Sequence, residues 1–227
     1  MNTFLRRLKY FSFGFIPSLI IVIFFFGARG CSWLPANRVK GSVIDRVVVV
    51  SEKNLKSIEK LGLNQQNLAE FISDAKVNFD KSSTHSNPKI YHFSKDGKSV
   101  YFALPKDSYV AEILNANKDV MKVNLSSEGI GKLLFFPKEQ DLVFVDTNKR
   151  LTCQQDALGM LQDKLFYSAI KKSGKLDFSK SRLLANPKTH YLVFKNQQGI
   201  EIGANTLWYK DRIDIIRLDL KKSIDCR

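Results

Sequence analysis

The chain has 227 residues, with 36 Lys and Arg against 22 Asp and Glu, and a formal net charge of +14. This length allows one domain with a full hydrophobic core, or two small domains at most, and we expect one. The excess of positive charge indicates an anionic partner, but it does not select among lipid head groups, cell-wall polymers, acidic proteins and nucleic acid. The three histidines have no second histidine or cysteine at metal-ligand spacing, so we expect no metal site and no cofactor.

The first feature along the chain is an uncharged run over residues 10–28. As a helix it would be about 28 Å long, close to the hydrocarbon thickness of a bilayer. The sequence therefore predicts a cytoplasmic tail over residues 1–9, followed by a transmembrane anchor or uncleaved signal. The tail carries Arg6, Arg7 and Lys9, which is typical of an N-terminus that stays in the cytoplasm. We expect a single-pass protein of the bacterial inner membrane, with its C-terminal domain in the periplasm.

Two alternatives for this segment stay open. Ala28 and Gly30 are the small residues that a signal peptidase requires, and they favour a cut before Cys31. A lipoprotein would carry its lipid on the same Cys31, although Arg29 places a charge where lipoprotein signals have a small uncharged residue. The chain is thus an anchored protein, a lipoprotein modified at Cys31 or an exported protein with a cleaved signal. The uncleaved anchor is the interpretation that the sequence favours.

After a predicted linker over residues 29–42, we expect one exported α+β domain over residues 43–227. The β-branched residues of 43–50 predict a strand. Two helices follow, with Ser51 and Asn64 as their N-caps. The predicted fold class is an N-terminal transmembrane helix followed by one α+β domain, with an antiparallel sheet of hairpins and about three packed helices.

Two hairpins are predicted in the middle of this domain. The first turns at Asp96 and Gly97, which can adopt the positive φ angles of a tight turn. The second joins KLLFF to DLVFVD through residues 137–140. Thr152 is then predicted to begin the third helix, which would continue to Gly174.

The C-terminal part returns to strands. Its alternation of apolar and polar residues breaks at Ile215 and Ile216. Because a shift of one residue moves side chains to the other face of a sheet, this break predicts a β-bulge in the last strand.

One stretch resembles a known family. FSKDGKSVYFA at 93–103 is similar to the FSPDGK-type hairpin repeat of TolB-like β-propellers, and FPKEQDLVFVD at 136–146 follows at an offset of 43 residues. The resemblance covers about 54 residues and implies a partial β-propeller-like domain. No third copy follows, and two hairpins do not close a propeller ring. Two ordinary hairpins of an α+β sheet are the interpretation that the sequence favours.

A search for catalytic motifs finds no phosphate loop, no GxSxG and no HExxH. We therefore expect no catalytic activity. The alternative is a cell-wall or lipid-modifying hydrolase, whose first candidate residues are Glu128, Glu139 and Asp141 near the second hairpin. Cys153 and Cys226 are the two cysteines of the exported domain, and we expect them to form a disulfide.

The densest group of cations consists of Lys171, Lys172, Lys175, Lys180, Arg182 and Lys188. Such a patch is more often a solvated face than a binding site. Only Phe178 interleaves with these cations, so a nucleic-acid partner is disfavoured. The leading hypothesis is a membrane-anchored, non-enzymatic binding or accessory module, similar in role to an immunity protein, that binds an envelope or secreted protein. A nucleic-acid-binding domain kept in the cytoplasm is the third alternative.

Overall fold

The computed structural model describes residues 3–27, 34–106, 108–114, 129–136, 141–145, 149–183, 185–210 and 212–220. The chain divides into two units, residues 1–39 and residues 40–227. The first unit contains a helix, α1, over Thr3–Gly27. The predicted transmembrane assignment of this segment is corrected, because no helix in the described part of the chain is long and apolar enough to cross a membrane.

Further helices and strands follow in chain order. The helices are α2 (Pro35–Ile44), α3 (Glu52–Lys60), α4 (Leu68–Asp74), α5 (Arg150–Ala157) and α6 (Asp163–Ser173). The first strands are β1 (Val47–Ser51), β2 (Lys76–Ser83), β3 (Lys89–Lys95), β4 (Lys98–Leu104), β5 (Val110–Leu114) and β6 (Ile130–Phe135). The remaining strands are β7 (Asp141–Phe144), β8 (Lys175–Arg182), β9 (Thr189–Lys195), β10 (Glu201–Trp208) and β11 (Arg212–Leu220).

The eleven strands of the described residues join in one mixed sheet, in the order β2-β3-β4-β5-β1-β6-β8-β9-β10-β11-β7. The predicted fold class, an antiparallel sheet of hairpins with about three helices, is therefore wrong. Two pairs are parallel, β1 with β5 and β7 with β11, and the described residues form six helices. A sign of the parallel pairing was in the sequence, because the unbroken apolar run of β1 is buried on both faces, as in parallel strands.

The sheet consists of two repeats of the same topology. Repeat 1 (residues 47–114) contains β1–β5 with α3 and α4, and repeat 2 (residues 141–220) contains β7–β11 with α5 and α6. In each repeat the first strand is followed by two helices and four antiparallel strands, the last of which returns parallel to the first. β6 lies between the repeats and pairs antiparallel with both β1 and β8.

Side chains and register match between the β2–β3 hairpin and the β8–β9 hairpin at an offset of 99 residues. Residues 76–89 and 175–188 are identical at seven of 14 positions. The pair Lys76 and Ser94 in the β2–β3 hairpin corresponds to Lys175 and Val193 in the β8–β9 hairpin. Both hairpins also contain a cis Asn-Pro peptide bond in their connection. We conclude that the domain contains an internal duplication.

The helices of the two repeats lie on opposite faces of the sheet. Cross-strand partners point to the same face, and neighbouring residues on a strand to opposite faces. In repeat 1, Asp74 of α4 pairs with Lys95, so α4 lies on the face to which Lys95 points. The strand register places Val50 on this same face. In repeat 2, α6 packs on the face of Phe194, which is shared with Ser51 instead. The sheet face of repeat 2 that has no helices is therefore on the same side as α3 and α4.

Several local predictions are confirmed. α3 begins after Ser51, and the β3–β4 hairpin turns at Asp96 and Gly97 with φ angles of 50° and 74°. The bulge in the last strand is also confirmed. Asn205 pairs with Arg217 and the next residue of β10 pairs with Ile215, so one residue of β11 is unmatched.

The segment predicted as a linker, residues 29–42, is described from residue 34 onward, and α2 begins there at Pro35, since proline suits the first position of a helix. Two local predictions are wrong, the second hairpin and the single helix from Thr152 to Gly174. β6 and β7 do not form the second hairpin, because β7 pairs with β11 at the far end of the sheet; the predicted turn over residues 137–140 lies outside the described residues. This also removes the second copy of the propeller-like hairpin.

The single helix predicted from Thr152 to Gly174 is two helices. Gly159 separates α5 from α6 with a φ of 64°, and its N–H donates to the carbonyl of Asp156. The N–H of Met160 donates to the carbonyl of Gln155. These two bonds, with Gly159 in the left-handed backbone conformation, form a common C-terminal cap of an α-helix. The same bonds occur around Gly62 at the end of α3, so this break belongs to the duplicated unit.

A basic groove where the two repeats meet

A groove of about 700 Å³ lies on the helix-free face of β6, β8 and β9. One side is bounded by the α3–α4 connection of repeat 1, through Gln65, and one end by the C-terminal turn of α6. We call it the basic groove. Its charged lining residues are Lys132, Lys171, Lys172, Lys175, Lys180 and Lys195, with Asp177 and Glu201 as the acids.

Strand pairing positions these cations. Lys132 on β6 pairs directly with Lys175 on β8, so both side chains point to the helix-free face. Gly131, next to Lys132, lets side chains of β1 and β8 pack closely over β6. A Cβ at this residue would meet Cγ1 of Val49 and Cε2 of Phe178 at 2.5 and 2.8 Å. Lys175 Nζ also lies 3.2 Å from Glu52 Oε1 at the start of α3, an ion pair that connects the two repeats.

The buried acid of the groove has a structural role. Asp177 Oδ1 accepts hydrogen bonds from the N–H of Ser179 at 3.0 Å and from the N–H of Lys180 at 3.3 Å. Its second oxygen lies 3.6 Å from Lys180 Nζ. These donors hold the carboxylate in place, and its charge stays in the groove, where the lysines outnumber the acids six to two. Lys180 also lies over the Tyr191 ring, 4.9 Å from its centroid.

A second, shallower cleft of about 600 Å³ continues along the same sheet face over β9, β10 and β11. It shares Lys180 with the basic groove and adds Arg182 and Arg217. Burial, followed by the nearby Asp219 carboxylate, raises the pKa of Tyr191 to about 12, so this phenol stays neutral and able to donate a hydrogen bond. The cleft has three cations against one acid, Asp219, which lies 2.8 Å from Arg217 Nε, so positive charge continues beyond the basic groove.

The predicted basic patch is divided by the fold. Lys171, Lys172, Lys175 and Lys180 line the basic groove, whereas Arg182 lines the neighbouring cleft. Lys188 belongs to neither, and its Nζ donates to the carbonyl of Leu183 at 2.8 Å.

Sequence reasoning missed two of the groove's lysines, Lys132 and Lys195, since they come from β6 and from the end of β9. The alternation of Thr189, Tyr191, Val193 and Lys195 is the signal that could have placed Lys195 on this face.

Both strand histidines are buried and contact serines. His92 Nε2 lies 2.5 Å from Ser99 Oγ, and His190 Nε2 lies 3.2 Å from Ser108 Oγ. Burial, with Lys188 as a smaller cause, lowers the pKa of His190 to about 4. These are the contacts of structural histidines, and the described residues contain no cluster of His, Cys, Asp and Glu that could hold a metal ion.

Other candidate residues fall where the structure gives little or no description. Cys31, Cys226, Glu128 and Glu139 lie outside the described residues, so lipidation at Cys31 and the Cys153–Cys226 disulfide remain predictions. Cys153 lies in α5, and Asp141 is the first residue of β7. The described residues therefore bring no pair of candidate hydrolase carboxylates together.

Comparison with known protein families, with characterised proteins and with solved structures finds no match to this chain. The basic groove and the duplicated fold are therefore the grounds for assigning a function.

Proposed function

We propose that the protein is a non-enzymatic binding module whose basic groove holds an acidic segment of a protein partner. The observation that carries this proposal is the charge of the groove, where six lysines face two acids in a space of about 700 Å³. Two of the lysines are in ion pairs, Lys175 with Glu52 and Lys180 with Asp177, and the six lysines still outnumber the three nearby acids. A ligand that supplies carboxylates would lower the mutual repulsion of the lysines.

The form of the groove supports an extended ligand. Its floor is made by three adjacent strands, which are about 4.8 Å apart. The groove is therefore wide enough to hold several residues of an extended ligand. The neighbouring cleft adds Arg182 and Arg217 along the same face. These cations are spread over four strands and the end of α6, so a single small anion could not contact most of them.

An acidic peptide gives a direct test. Binding of a glutamate-rich peptide to the full chain is measured by calorimetry, beside a peptide of the same length with Gln at each Glu position. The double variant Lys172→Glu/Lys195→Glu should weaken binding of the acidic peptide by about tenfold, since reversing exposed charges replaces attraction by repulsion.

The matched control is Lys89→Glu/Lys106→Glu, which makes the same change of net charge at exposed positions of repeat 1. It should leave the affinity nearly unchanged. If both double variants weaken binding equally, the peptide responds to net charge alone and the groove is not its site.

The periplasmic location and the envelope or secreted origin of the partner remain predictions from the sequence. A reporter fused to the C-terminus tests the location. Activity of a reporter that works only in the cytoplasm would contradict it.

A further inference from the structure

We infer that the edge of β7 opposite β11, which has no strand neighbour among the described residues, accepts an extended strand from another protein, which adds antiparallel to β7 as β6 adds to β1. The inference goes beyond the basic groove, because β10 and β11 separate β7 from the groove strands. It rests on comparing the same position in the two repeats.

β1 and β7 are equivalent strands. Each is the first strand of its repeat and pairs in parallel with the last, as Val50 with Ile113 and Phe144 with Ile215. The other edge of β1 is occupied by β6. Among the described residues, β7 has β11 as its strand neighbour and ends the sheet.

The side chains at equivalent positions of β1 and β7 differ in their exposed fraction. Val49 is 0% exposed, and it packs in the core cluster with Leu133 of β6. The register places Val143 at the position of Val49, and Val143 is 40% exposed. Val145, two residues further on the same face, is 45% exposed. Both valines point to the helix-free face of repeat 2, and an apolar side chain on a strand beside β7 would lie opposite Val143 as Leu133 lies opposite Val49.

The backbone of β7 is arranged for pairing. The N–H of Val145 donates to the carbonyl of Ile215 at 3.0 Å, toward β11. Because backbone groups alternate along a strand, the N–H and C=O of Phe144 point to the edge opposite β11. Exposed edge groups of this kind are where extended peptides add to sheets.

β6 indicates the chemistry of the added strand. It runs antiparallel to β1, with Leu133 opposite Val49 and Gly131 opposite Ser51. The partner strand should therefore place an apolar side chain opposite Val143. A second copy of this chain is a poorer occupant, since each copy carries a net charge of +14 and two copies repel each other.

A peptide with the sequence of residues 129–136, GIGKLLFF, serves as the probe for this edge. Its binding to the full chain is followed by fluorescence anisotropy, beside the same peptide with Leu133→Pro, since proline removes a backbone donor. Saturable binding of the first peptide alone is expected.

Val143→Lys should weaken this binding by about tenfold or more, since an edge lysine disfavours strand pairing. The control Ile200→Lys adds the same charge at another exposed apolar residue, 41% exposed, and should not change the affinity. Val145→Lys is the second edge variant, used if Val143→Lys lowers the thermal stability.

Three results would overturn the inference: no binding of the GIGKLLFF peptide, equal affinity of the edge and control variants, or a dimer of the free protein in light scattering that Val143→Lys abolishes. The last result would identify a second copy as the occupant. The groove variant Lys172→Glu/Lys195→Glu should retain the GIGKLLFF affinity, so this test is separate from that of the proposed function.

Discussion

Asn78 and Asp177 occupy the same position in the two repeats, 99 residues apart, and each side-chain oxygen accepts the backbone N–H two residues later. The carbonyl of each residue also accepts the hydroxyl of a serine four residues later, Ser82 or Ser181. The same turn is therefore built twice, once with a neutral amide and once with a carboxylate in the basic groove.

This pair gives the first prediction. Asp177→Asn should keep the turn and the melting temperature, and it should bind an acidic peptide about threefold more tightly because one negative charge leaves the groove. Asp177→Ala removes the acceptor and should lower the free energy of unfolding by about 1–3 kcal/mol. Denaturant titration and calorimetry check the two effects. Weaker peptide binding by Asp177→Asn would contradict the electrostatic account.

His190 predicts a loss of stability in acid. Its folded pKa of about 4 lies below the ordinary value of about 6.5, so the unfolded chain takes up a proton first as the pH falls. The contribution of neutral His190 to the free energy of unfolding is fully present above about pH 6.5. It declines by about 3 kcal/mol as the pH falls toward 4.

The measurement for His190 compares urea titrations of the protein and of His190→Gln from pH 7 to pH 4.5. The variant should start less stable, because the contact with Ser108 changes, and it should lose less stability with falling pH. Parallel curves for the two proteins would show that the pKa of His190 is not lowered by folding.

The packing around Gly131, where the two repeats connect, leaves no room for a Cβ atom. A Cβ at this residue would meet Val49 and Phe178, both in the core, so Gly131→Ala should lower the free energy of unfolding by about 1–3 kcal/mol. Gly41→Ala is the matched control, since no atom lies within 4 Å of its Cβ and the residue is inside α2. It should be neutral or stabilising by up to about 1 kcal/mol. Equal losses in both variants would refute the packing argument.

The predicted disulfide makes a further prediction. Cys153→Ser and Cys226→Ser should lower stability by the same amount, about 4 kcal/mol in the chain-entropy model for a loop of about 74 residues. Mass spectrometry of protein isolated without reductant should find the two cysteines in one crosslinked peptide. Free thiols at both positions would contradict the bridge and weaken the prediction of a periplasmic domain.

The sequence predicts the local features of this fold well because local interactions determine them. The Asp96-Gly97 turn and the bulge at Ile215 each depend on backbone angles or alternation within a few residues. The pairing of β7 with β11 depends on residues about 70 positions apart, and nothing near Asp141 distinguishes it from a hairpin strand. Long-range pairing was therefore the part of the fold that was predicted incorrectly.

The residues of the candidate site also divide into those placed by local sequence and those placed by long-range strand pairing. Four of its lysines lie within one short stretch, from Lys171 to Lys180, and sequence reasoning found them as a patch. Lys132 joins them only because β6 inserts between the repeats. The duplication itself was detectable, since NPK recurs at residues 87–89 and 186–188, but its period was missed in favour of the offset of 43 residues.

The most direct test of the proposed function is to map the bound peptide on the folded chain. Backbone amide shifts of the isotopically labelled protein are recorded during titration with the glutamate-rich peptide at near-physiological salt, where nonspecific attraction is screened. We predict that the largest changes fall on Lys132, Lys175 and Lys195, with little change at Lys89 and Lys106. Changes spread evenly over the basic residues of both repeats would contradict the groove as the binding site.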